Sequence, residues 1–174
     1  MKAIIVFLIC LTTTVVSSQT TPVKMPAIFR QLKFGVTTID DLKTDFKKPD
    51  TILNFVVEES YSDGGGGLSG TMDASYDKDK LVLHFKLNET TIIPQLVSID
   101  ILVGSPVKVE DSIDVGKSTR QEVIRIHGTA VSTGNPVVDE NMLRYNMAGN
   151  LLCVFYFEHD ILTLVRIMRN PATE

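Results

Sequence analysis

Phe34-Gly35-Val36-Thr37-Thr38-Ile39-Asp40-Asp41-Leu42 has a second copy in the same chain, Val115-Gly116-Lys117-Ser118-Thr119-Arg120-Gln121-Glu122-Val123. Each runs apolar, Gly, any residue, Ser or Thr, Thr, two of any kind, acidic, aliphatic, and the shift from Gly35 to Gly116 is 81 positions. Gly permits a tight bend that other residues resist. Thr37 or Ser118 is then placed to cap a helix, with Asp40 or Gln121 three residues on to reach back. Asp40, Asp41 and Glu122 fall in the first turn, where the helix dipole favours negative charge. Two such starts at matched positions, each followed by similar strand patterns, point to an internal repeat.

Working outward, Ile28, Phe29 and Leu32 have the spacing of one short helical turn before the first copy. After it, Ile39, Leu42 and Phe46 share a helical stripe that Pro49 ends. Strand patterns follow at 52–58 and 68–76. Over 81–87, Leu81, Leu83, Phe85 and Leu87 alternate with Val82, His84 and Lys86. Over 97–103, Val97, Ile99, Ile101 and Val103 alternate with Ser98, Asp100 and Leu102. Such alternation marks sheets with one buried face. The second copy opens a helix over 119–127 that Gly128 stops. A weak strand is expected over 131–138, then a strand over 142–147 with Leu143, Tyr145 and Met147 on one side. Residues 151–157 match 81–87 at a shift of 70, and 162–168 match 96–102 at a shift of 66. The falling shifts place the length difference in loops, where it costs little. The expected fold class is α+β, with two tandem units, 19–104 and 105–174. Each would be a short helical segment packed on one face of a roughly four-stranded antiparallel sheet.

With 174 residues and 44% hydrophobic content, the chain can bury one good core or two small ones. A pI near 5.4 and a formal net charge of −4 give no reason to expect nucleic-acid binding. Residues 1–18 read as a signal peptide: Lys2, an apolar run over 3–11, and Val16-Ser17-Ser18 as the cleavage site before Gln19. The expected localisation is therefore periplasmic or secreted. A lipid anchor at Cys10 is disfavoured, since Ile9 is too large for the position before a lipidated cysteine. No other apolar run is long enough to span a bilayer. Cleavage leaves Cys153 as the only cysteine, which excludes an internal disulfide. Leu151, Cys153, Phe155 and Phe157 alternate onto one face, so Cys153 reads as core rather than as a reactive thiol.

Leu32-Lys33-Phe34-Gly35-Val36-Thr37 and Ile113-Asp114-Val115-Gly116-Lys117-Ser118, each followed by a break, a Tyr-bearing hairpin, a Phe-bearing strand and a final strand, resemble the β-lactamase-inhibitor-protein-like (BLIP-like) fold. A single unit of similar kind occurs in small outer-membrane-assembly lipoproteins. The resemblance implies a noncatalytic protein that grips its target through a hairpin loop of the first unit together with the exposed sheet face. Here that loop would be 61–70, offering Tyr61 and Asp63 before a four-glycine run. Ordering so many glycines on binding is unfavourable, so the loop is expected to add little affinity.

Chemistry is sparse. His84, His127 and His159 form no close-spaced ligand motif, so neither metal nor cofactor is expected. Gly65-x-Gly67-x-x-Gly70 matches a dinucleotide fingerprint by letter but lies between strands with no helix following. No nucleophile elbow appears, and the chain reads as no enzyme. On the sheet face away from the helices, the first unit carries Thr71, Asp73, Ser75, His84, Lys86, Ser98 and Asp100. The second carries Leu152, Val154, Tyr156, Leu164 and Met168 around Arg144 and Arg166, the composition of a protein-binding surface. The same residues could instead pack against the other unit or a second copy of the chain. The expected function is an exported noncatalytic protein-binding module, a scaffold or an inhibitor. The alternative is a small-ligand carrier or enzyme using the concave sheet.

Overall fold

Among the described residues the chain forms seven strands: β1 Thr51–Ser62, β2 Gly65–Tyr76, β3 Leu81–Asn88, β4 Thr91–Leu102, β5 Met142–Met147, β6 Leu151–Glu158 and β7 Ile161–Arg169. The structure, a computed structural model, describes residues 22–62, 65–88, 91–110 and 112–171. All seven strands join one antiparallel sheet in the order β1-β2-β3-β4-β7-β6-β5. The helices are small: a 3-10 turn Ala27–Phe29, α1 Leu42–Asp45, α2 Arg120–His127 and α3 Pro136–Asn141.

This overturns the expected fold class. Residues 19–104 and 105–174 are not two tandem units of helix on a four-stranded sheet; their strands form a single sheet, joined where β4 pairs with β7. Alternation shows that a strand has a buried face but not which strand lies beside it. Among the described residues the second half also lacks a fourth strand. The strand expected over 131–138 gives way to α3, because Asn135 caps it by accepting from the Val137 N–H and Pro136 takes the first helical position. In the first half, α1 has only four residues. Phe46 leaves helical geometry and packs its ring against Phe29 and Tyr76, with centroids 5.8 and 5.1 Å away.

One face of the sheet is covered by the segments that precede each group of strands. Val23, Phe29, Leu32 and Leu42 from the first cover, and Val109, Ile113 and Val123 from the second, belong to the same hydrophobic cluster. Leu83, Phe85, Ile99, Ile101, Val165, Ile167 and Phe155 carry that cluster across the sheet. Cys153 lies within it, fully buried. A register shift in the β3–β4 ladder puts Leu96, rather than Val97, on this face beside Ile99.

The repeated Gly motif docks each cover on the sheet in the same way. Gly35 N–H donates to Leu96 O, and Leu96 N–H to Thr37 O; Gly116 N–H donates to Leu162 O, and Leu162 N–H to Ser118 O. Thr37 Oγ1 accepts from Lys33 N–H at 2.9 Å, and Ser118 Oγ from Asp114 N–H at 3.0 Å. Their hydroxyls thus close the turn before the helix. The cap falls one residue later than expected: Thr119 accepts from Glu122 N–H while Glu122 accepts from Thr119 N–H, a reciprocal capping box. In the first copy Asp41 accepts from both Thr38 N–H and Thr38 Oγ1–H.

Candidate functional site

Side chains that alternate out of phase with the core stand on the other face of the sheet, and strand register decides which of them meet. Asp100 on β4 lies opposite Arg166 on β7, Arg166 lies opposite Val154 on β6, and Val154 lies opposite Arg144 on β5. One row over, Asp73, His84, Ser98, Met168, Leu152 and Asn146 succeed one another from β2 to β5. On the other side Leu102, Leu164, Tyr156 and Met142 form a third row. The expected site residues Leu152, Val154, Tyr156, Leu164, Arg166, Met168 and Arg144 therefore do share one face.

Their exposure separates them. Leu152 and Val154 are buried, so they support the face rather than present it. Arg144, Tyr156, Leu164, Arg166 and Met168 are partly exposed. The loop expected over 61–70 is instead mostly ladder, with Ser60, Tyr61 and Ser62 paired to Gly67, Gly66 and Gly65. Asp63 and the Tyr61 side chain lie outside the described part of the chain.

The centre of the face is a line of four charged or chargeable groups on four strands. His84 Nδ1 lies 2.7 Å from Asp73 Oδ1, and His84 Nε2 lies 3.0 Å from Asp100 Oδ2. Arg166 donates from Nε to Asp100 Oδ1 and from Nη2 to Asp100 Oδ2, both at 2.6 Å, a two-pronged pair. The Asp100 side chain is only 7% exposed, which is tolerable because both oxygens are bonded. Burial pushes the Asp100 carboxyl up, but the hydrogen bonds and charges of Arg166 and His84 outweigh it and hold its pKa below the ordinary value. Burial likewise works against a charged His84. The hydrogen bonds and charges of Asp100 and Asp73 win, and its pKa is raised. In this arrangement a carboxylate engages each ring nitrogen of His84.

Only half of this line is legible in the sequence. Alternation placed Asp73, His84 and Asp100 on the right face, but their contact with Arg166 depends on the β4–β7 pairing. The available signal was Asp100 itself, a carboxylate between Ile99 and Ile101 in an aliphatic strand, where an unpartnered charge is too costly to keep.

Two open depressions lie elsewhere. One of about 650 Å³ is lined by Gln31, Lys33, Val36, Thr37, Asp41 and Asp45. The other, of about 350 Å³, lies among residues 26–28, Asp79 and residues 106–108. Neither includes a residue of the charged line. Among the described residues no group of His, Cys, Asp and Glu is arranged to hold a metal ion. Among them, too, no helix is long and apolar enough to cross a membrane. Comparison of the chain with known protein families, with curated proteins and with solved structures gives no match in any of the three.

Proposed function

We propose that the chain is an exported, noncatalytic protein-binding module that acts as a scaffold or inhibitor and takes its partner on the sheet face opposite the core. One observation carries this reading: Tyr156, Leu164 and Met168 stand partly exposed beside Arg144 and Arg166 on adjacent strands. Aromatic, Met and Arg side chains over a buried apolar floor are the mixture enriched at protein interfaces. The leader-like residues 1–18 support export.

The test is affinity capture with the immobilised chain from Gln19 onward, run beside Tyr156→Ala and Val137→Ser. Val137 is 70% exposed on α3, outside the face, and serves as the control. Tyr156→Ala should weaken a captured partner by more than about 1 kcal/mol, roughly fivefold in Kd. Val137→Ser should leave it unchanged. A partner held equally by all three chains would overturn the assignment of the face.

A further inference from the structure

His84 is held between carboxylates on two different strands, Asp73 on β2 and Asp100 on β4. An ionised carboxylate only accepts hydrogen bonds, so both contacts are bonds only when the ring carries both protons. A neutral ring can donate to one carboxylate and must face the other lone pair to lone pair. The two carboxylates are unequal. Asp100 is 7% exposed and depends on every donor it has, whereas Asp73 is 38% exposed and can exchange its contact for water.

We propose that His84 is a proton-operated latch on the binding face: the ring gives up its Nδ1 proton to bulk water, keeps Nε2–H on Asp100, and releases the Asp73 carboxylate into solvent. Other charged groups on this face include Lys86 on the same strand, Arg166 on β7, Arg144 on β5 and Glu158 at the end of β6. Arg166 stays bonded to Asp100 throughout, so the sheet holds while the face loses one positive charge and gains a solvated carboxylate. The hydrogen bonds and charges of Asp100 and Asp73 raise the His84 pKa from its ordinary value. As regulation of partner binding, the latch rests on the proposed function above.

The test is read on the free chain. Long-range proton–nitrogen NMR of histidine-labelled protein, titrated through neutral pH, reports each ring nitrogen, and His84→Gln assigns the signals against His127 and His159. The midpoint should lie above the ordinary value of about 6.5, with Nδ1 as the nitrogen that loses its proton. Asp73→Asn should lower that midpoint and, at a partly exposed position, leave the fold intact. A midpoint at or below the ordinary value, proton loss from Nε2, or indifference to Asp73→Asn would each overturn the latch, whatever the capture experiment gives. A titration as expected, in a chain whose Tyr156→Ala variant captures its partner normally, would overturn the binding face alone.

Discussion

Arg166→Ala is the sharpest test of the way the sheet is joined. The substitution leaves Asp100, whose side chain is 7% exposed, with His84 as its remaining side-chain partner. Removing one partner of a fully buried ion pair costs about 3–5 kcal/mol, mostly because the other charge stays behind. Here the Arg166 side chain is 33% exposed, so water reaches the pair and screens it. The expected cost falls to roughly 2 kcal/mol. Asp100→Ala should be destabilising as well, since Arg166 and His84 lose their shared acceptor. The double variant should cost less than the two singles together by roughly 1–2 kcal/mol, the coupling expected of groups in direct contact. The chain has no Trp, so urea unfolding is best followed by far-ultraviolet circular dichroism. The unfolding slope should stay constant, showing that the amount of structure lost has not changed. An Arg166→Ala chain within about 0.5 kcal/mol of the parent, or strictly additive variants, would mean that β4 and β7 are not paired in this register.

Three further outcomes follow from particular residues. Cys153 is fully buried, and burial, with the charge of Glu110 adding to it, pushes its thiol pKa well up; a thiol reagent should label it slowly in the native chain and fast in denaturant. Fast native labelling would show that β6 faces the other way. Gly116 has φ +93°, and a Cβ there would come within 2.8 Å of Val103 Cγ1, whereas at Gly134 (φ +78°) nothing lies within 4 Å. Gly116→Ala should therefore cost more than about 2 kcal/mol and Gly134→Ala roughly 1, and equal costs would refute the docking of the second Gly turn. The charged line also sets a pH profile. The raised His84 pKa gives stability that is complete below about 6.5 and lost as pH rises through the folded value. The lowered Asp100 pKa gives stability that is complete above about 3.8 and lost as pH falls through its folded value. The stability difference between the parent chain and His84→Gln should be greatest between those limits, and a difference flat with pH would remove the network from the account.

Local patterns proved legible where one strand or one turn decides the outcome. Leu81, Leu83, Phe85 and Leu87 are buried in alternation as the sequence implies, and Leu143, Tyr145 and Met147 behave likewise. Gly128 ends α2 at the expected place with φ 78°. Pattern and structure part where the outcome depends on something distant or on competing local chemistry. The segment 131–138 has a weak strand pattern broken by Gly134 and Pro136, but Asn135-Pro136 is a helix start, and Asp139 reaches back to the Thr133 N–H and the Ser132 hydroxyl to hold it. The glycine run at 65–67 suggests a loop, yet backbone pairing with residues 60–62 needs no side chain to form a ladder. The two-unit fold is overturned for the same physical reason that hides the charged line: β4 and β7 meet at a sequence separation of 66 from Asp100 to Arg166, and periodicity carries no record of a strand's neighbour.

Both faces of the sheet select the same register at that junction. On the covered face Ile99 lies opposite Ile167 and Ile101 opposite Val165, all four fully buried. On the open face Asp100 lies opposite Arg166. A slip of one residue would turn Ile167 and Val165 away from the core and take Arg166 out of reach of Asp100 at once, so neither face can be satisfied without the other. The same register carries Leu164 to its place beside Tyr156, and Met168 to its place beside Leu152. The ion pair thus does more than neutralise a buried carboxylate. By fixing β7 on β4 it fixes the arrangement of the aromatic and apolar groups through which the chain is proposed to bind.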